Sequence, residues 1–116
     1  MDIKIVKERI SLEELSEMAK GLFGDFVKAV VDIEQGIMGV GGELHADIEV
    51  KLMEECASKR ENTWGINIYP KISGEDMIEF DSMINIKPFL GNRTRGVENI
   101  QIQDRIRKLC ASLIKT

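Results

Sequence analysis

The chain has 116 residues, enough for one hydrophobic core and too few for two independent ones, so a single domain is expected. Apolar residues make up 43% and charged residues 31% of it, which excludes a disordered or fibrous class. The 16 Lys and Arg against 20 Asp and Glu leave a net charge of −4, a balance that argues against a protein coating nucleic acid or an anionic membrane.

No apolar run is long enough to cross a bilayer, so no membrane association is expected. The opening MDIKIVKERI mixes charged and apolar residues where a signal peptide would carry an apolar core, and a cytoplasmic location is the expectation. Cys56 and Cys110 lie far apart, with no CxxC pair and no other Cys or His at ligand spacing. A structural zinc site is thereby excluded, no disulfide is expected, and both thiols read as buried small hydrophobes in helical stripes.

Taken in chain order, Ile3, Ile5 and Val6 with charged residues between them suit a short strand. Ser11 and Glu14 then form a capping box ahead of Leu12, Leu15, Met18, Ala19 and Leu22, whose spacing predicts a helix from Leu12 to about Phe23. From Phe26 the pattern turns to period two: Val27, Ala29, Val31 and Ile33 share one face, Lys28, Val30, Asp32 and Glu34 the other. Glu34, Gln35 and Gly36 read as a tight turn, and Ile37, Met38 and Val40 as the return strand of a hairpin.

Leu44, Ile48, Leu52, Met53, Cys56 and Ala57 predict a second helix from Glu43 to about Lys59. A second hairpin follows, with Trp64, Ile66 and Ile68 in its first strand and Ile78, Phe80, Ile84 and Ile86 in its second, where the exchange of character at Ser82 and Met83 predicts a bulge or bend. Ile102, Ile106, Leu109, Cys110, Leu113 and Ile114 define a closing helix. The order is β-α-β-β-α-β-β-α, an α+β domain with an antiparallel or mixed sheet and helices packed on one face. The other face then shows Lys28, Asp32, Asn67, Tyr69, Glu79, Asp81 and Asn85 to solvent or to a second copy in a homodimer.

Two segments carry candidate chemistry. In Gly91-Asn92-Arg93-Thr94-Arg95-Gly96, two arginines between glycines offer planar forks and open backbone N–H groups to a carboxylate or phosphate. In Gly41-Gly42-Glu43-Leu44-His45-Ala46-Asp47, the only histidine stands at a strand-to-helix junction between two carboxylates, where it suits general acid or base work. Glu43, His45 and Asp47 do not converge on a metal from one helix, because residues two apart point in different directions, and no metal is expected. Asp81 and Asn85, on the polar sheet face, complete the binding set of Asn92, Arg93, Arg95, Glu43 and Asp47. No phosphate loop, dinucleotide fingerprint or nucleophile elbow is present, so no cofactor is expected.

The strings GGELHAD at 41–47, ENTWGINIYP at 61–70, IEFDSMINIKP at 78–88 and GNRTRGVEN at 91–99 resemble a family of short prokaryotic proteins classified only as a domain of unknown function. The resemblance covers nearly the whole chain and implies no activity and no residue roles. From the residues themselves, the leading expectation is a binding or interaction module whose Arg93/Arg95 loop recognises an anionic group on a small molecule or a protein partner. The alternative is a metal-independent phosphoester or acyl hydrolase with His45 as acid or base. RNA binding is disfavoured by the acidic balance and by a single aromatic, Tyr69, on the polar face.

Overall fold

The computed structural model describes residues 2–116. Near the N-terminus, strands β1 (Lys4–Val6) and β2 (Ile10–Ser11) lead into α1 (Leu12–Lys20). The capping box forms as read: Ser11 Oγ accepts from the Glu14 N–H at 3.0 Å. The helix stops at Lys20, a turn earlier than expected, because the N–H groups of Gly21 and Gly24 close onto the carbonyls of Met18 and Ala19.

The first hairpin is β3 (Val27–Asp32) and β4 (Ile37–Val40), followed by α2 (His45–Cys56) and β5 (Thr63–Ile68). A two-residue strand β6 (Ile78–Glu79), then α3 (Ile100–Leu113) and β7 (Ile114–Lys115), complete the elements. The main sheet has the order β1-β4-β3-β5-β6 with every neighbour antiparallel, and β2 and β7 form a small parallel pair. The expected order is therefore present with β2 and β7 added, and the domain is α+β. None of its helices is long and apolar enough to cross a membrane.

Two expectations need correction. Helices were expected on one face, and they lie on both. The face carrying Val27, Ala29, Val31, Met38, Trp64 and Ile66 packs against Leu15 and Ala19 of α1 and Ile106, Cys110 and Leu113 of α3. On the reverse face Val30 and Ile37 pack against Ile48 and Leu52 of α2 and against Ile84. Val30 is the apolar residue within an otherwise polar stripe, and Gly39 opens the space: a Cβ there would stand 2.6 Å from Ile48 Cγ2. Only the β5 and β6 side of that face stays uncovered by α2, which confines the expected polar surface to a smaller area.

The second correction concerns the run from Ile78 to Ile86. It pairs as a strand only at Ile78 and Glu79, then breaks at the point where the pattern exchanges, and Ser82 caps a 3₁₀ turn at Met83–Asn85. Ile78 enters one core and Ile84 the other. With β6 this short, Gly65 of β5 meets a side chain where a strand would be: Asn85 Oδ1 accepts from the Gly65 N–H at 2.7 Å and Asn85 Nδ2 donates to its carbonyl at 2.9 Å. A single amide thus completes the sheet edge, satisfying a buried donor and a buried acceptor.

Candidate functional site

The polar part of the reverse face forms the floor of a cleft of about 330 Å³, walled by the first turn of α2 on one side and by Asp81–Ile84 and Arg95 on the other. Lys28 and Asn67 sit side by side on that floor because they are register partners on β3 and β5. Phe26 closes one end, stacked on Phe23 at 4.9 Å between centroids, and the Lys28 ammonium stands 5.0 Å from the Phe23 ring centre.

His45 begins α2 and is buried, with 7% of its surface exposed. Its Nε2 lies 2.8 Å from the Ile66 carbonyl oxygen, which only accepts, so Nε2 carries the proton and Nδ1 the lone pair. Nδ1 has no hydrogen-bond partner among the described residues and is not sealed from solvent. Burial holds the His45 pKa below its usual 6.5, with Lys28 and Arg95 pushing the same way against the Ile66 bond and Asp81. The imidazole is neutral at neutral pH.

Leu44 is the N-cap of α2 and offers no side-chain acceptor, so the N–H groups of its first turn lack the usual cap. This end of the helix, with its partial positive charge, lines the cleft through Leu44, His45 and Ala46. Opposite it, Arg95 Nε donates to Asp81 Oδ1 at 2.7 Å, and both side chains are about half exposed. Such a pair is worth roughly 0–1 kcal/mol and orients the guanidinium more than it stabilises the fold.

Two buried side-chain atoms among the described residues have no partner, Trp64 Nε1 and, in the cleft lining, Asn67 Oδ1. Asn67 Nδ2 donates to Glu79 Oε1 at 2.8 Å, while its Oδ1 is buried with no partner. Ser82, also buried, spends its Oγ on the Ile84 N–H at 3.3 Å. A Cβ on Gly65 would come within 2.5 Å of Ser82 Oγ and 3.1 Å of His45 Cδ2. The glycine therefore lets both residues lie on the sheet, and the imidazole turns a carbon edge toward this spot, so no Ser–His nucleophilic pair is built.

Of the residues singled out from the sequence, His45, Asp81 and Arg95 converge on this cleft. Asn85 lies beneath it, fully buried and committed to Gly65 and to the Arg95 carbonyl. Asn92 is likewise spent on the scaffold, with Nδ2 donating to the carbonyls of Asn85 and Gly96 and Oδ1 accepting from the Glu98 N–H. Glu43 and Asp47 are exposed and outside the cleft lining. Arg93 is outside as well, and the loop N–H groups expected to face an external anion are taken. Glu98 Oε2 accepts from Arg93 N at 2.6 Å and from Thr94 N at 3.1 Å, so the chain's own carboxylate fills that nest.

Lys28 and Asn67 were visible in the sequence only as members of a polar strand face; their pairing across β3 and β5 was the signal that would have joined them. No cluster of His, Cys, Asp and Glu among the described residues is arranged to hold a metal ion. The larger cavity, about 480 Å³ between β6 and the end of α3, is mostly apolar, and burial pushes the Cys110 thiol lining it up to about 12. It therefore offers no reactive thiolate.

No curated protein and no solved structure matches the chain. The family described as "Protein of unknown function (DUF5674)" matches residues 4–113, and the chain belongs to it.

Proposed function

We propose that this protein is a small-anion binding module of the cytoplasm whose ligand site is the cleft between α2 and the sheet. The observation that carries this reading is the convergence of Lys28, Arg95 and the uncapped first turn of α2 on one cleft of about 330 Å³. Lys28 makes no ion pair among the described residues, so its charge is available to a ligand. Arg95 contributes through the two ends of its fork that Asp81 does not engage. The site has shifted from the loop as a whole to one of its two arginines, with the partner cation coming from β3. Two free thiols, Cys56 and Cys110, agree with a reducing compartment.

A second reading, hydrolysis of a phosphoester or acyl ester, draws on the unpartnered Nδ1 of a neutral His45 beside those cations. It would use an activated water, since Ser82 has no imidazole nitrogen to deprotonate it.

The test is a titration of the native chain with acetate and with inorganic phosphate, followed by amide and side-chain NMR shifts. Saturable shifts at His45, Ala46 and Lys28 are expected, weakened at least tenfold by Lys28→Gln and less than twofold by Arg93→Gln. Absence of saturable binding by either anion would sink the proposal. Turnover of aryl esters or aryl phosphates that His45→Gln abolishes would favour the second reading.

A further inference from the structure

The cleft is not simply cationic. Its charges are Lys28 and Arg95 against Asp81, one net positive charge, to which the α2 N-terminus adds roughly half a unit. That balance matches a monoanion and leaves a phosphate dianion undercompensated. Residues lining the cleft also carry acceptors that have no partner among the described residues. His45 Nδ1 is one, and Asn67 Oδ1 is the other, in a residue only 6% exposed.

The orientation of Asn67 is settled by chemistry. Glu79 accepts a hydrogen bond from its amide, so the nitrogen must face Glu79 and the oxygen must face away from it. Glu79 is outside the cleft lining and Lys28 is the register partner on the opposite side of Asn67, so Oδ1 is directed to the cleft side. A buried acceptor left unpaired costs about 1–3 kcal/mol. No donor among the described residues recovers that cost. A bound molecule carrying an N–H or O–H group would, once the side chains covering the buried oxygen shift to admit it.

We infer that the ligand is a small hydroxycarboxylate, its carboxylate held by Lys28 and the first turn of α2 and its hydroxyl by Asn67 Oδ1 and His45 Nδ1. This rests on the anion-binding reading above and narrows it from anions in general to monoanions that also donate. The cleft volume suits a molecule of a few carbon atoms, at the lower limit of small-molecule sites.

The deciding experiment compares propionate, lactate and alanine on the native chain by NMR titration, three carboxylates of one carbon skeleton that differ in the donor at the second carbon. Lactate is expected to bind at least tenfold tighter than propionate and to move the Asn67 side-chain amide resonances, while alanine, a zwitterion without net charge, is expected to bind no tighter than propionate. Asn67→Leu, which keeps the shape and removes the acceptor together with the donor to Glu79, is expected to shrink the advantage of lactate over propionate to about twofold; should that variant not fold, the ranking on the native chain decides alone. Equal binding of all three, or binding of inorganic phosphate in preference to them, would overturn this inference and leave the anion-binding reading standing. Binding by none of these anions would overturn both.

Discussion

Two polar regions, the cleft on the reverse face and a knot at the β5 edge, contrast in how completely their hydrogen bonds are made. In the knot of Asn85, Lys87 and Asn92, every side-chain nitrogen and oxygen is engaged: Asn85 by Gly65, Asn92 by Glu98 and the loop carbonyls, and Lys87 Nζ by the Ile84 carbonyl at 2.6 Å. In the cleft next to it, Asn67 Oδ1 and His45 Nδ1 have no partner and Lys28 no counter-ion among the described residues. The sequence composition of the two regions is similar. What separates these side chains is satisfaction, with Trp64 Nε1 beside Lys87 the one buried atom left unpaired near the knot, and that is the ground for proposing one as scaffold and the other as recognition surface.

The contrast breaks most readily at Asn85. Replacing it by Leu strips Gly65 of a donor and an acceptor partner inside the fold and leaves the Arg95 carbonyl with the Ser82 N–H alone. A loss of about 3 kcal/mol or more is expected from the shift of the urea midpoint. A loss below about 1 kcal/mol would mean that water replaces the amide and that the knot is no more a scaffold than the cleft.

Lys87 gives the next effect. It is fully buried, its ammonium 4.8 Å from the Trp64 ring centre, and burial above all, with help from Arg60, lowers its pKa from 10.5 to about 8. Below about pH 8 the lysine is charged in both the folded and unfolded chain. Between about 8 and 10.5 the unfolded chain binds a proton that the folded chain has released, so stability rises with pH across that window. The urea midpoint of the native chain measured against Lys87→Met is expected to climb there, and a falling difference would show that the ammonium is stabilised by its surroundings.

His45 runs the same way at lower pH and with a smaller amplitude. Its folded pKa lies below the 6.5 of the unfolded chain, so the stability it contributes is complete above that pH and is lost as acidification passes through the folded value. A ring-proton NMR titration is expected to give a midpoint below 6.5. A midpoint above it would mean that the Ile66 hydrogen bond and Asp81 together outweigh burial.

What could be read in advance follows from range. The Ser11–Glu14 cap, the alternation of Val27 to Ile33 and the α3 stripe depend on neighbours within a turn or a strand, and all three appear in the structure. The side of the sheet that α2 covers depends on Gly39 and Val30 meeting Ile48 from distant segments, and the local pattern carried no sign of it. The site was legible in the same measure. His45, Asp81 and Arg95 could be named as chemical types, but their convergence comes from tertiary packing. Asn85 and Asn92 were misassigned because an amide that binds a ligand and one that closes a sheet edge are the same residue in a sequence. Glu98, which fills the arginine loop, follows the nest by a few positions, yet only the folded loop brings its carboxylate back onto Arg93 N and Thr94 N.

The smallest expected effect tests where the boundary between the two regions falls. The Asp81–Arg95 pair borders both, since Arg95 reaches into the cleft while its carbonyl accepts from Asn85. A double-mutant cycle with Asp81→Asn and Arg95→Gln is expected to give a coupling of about 0.2–1 kcal/mol, as for other solvent-exposed pairs. A coupling above about 2 kcal/mol would place the pair in the desolvated knot, and Arg95 would then be a structural strut unable to turn its guanidinium to a ligand. A value in the lower range leaves the guanidinium free to exchange Asp81 for a bound carboxylate at little cost to the fold, which is the property a recognition residue at the edge of a rigid scaffold requires.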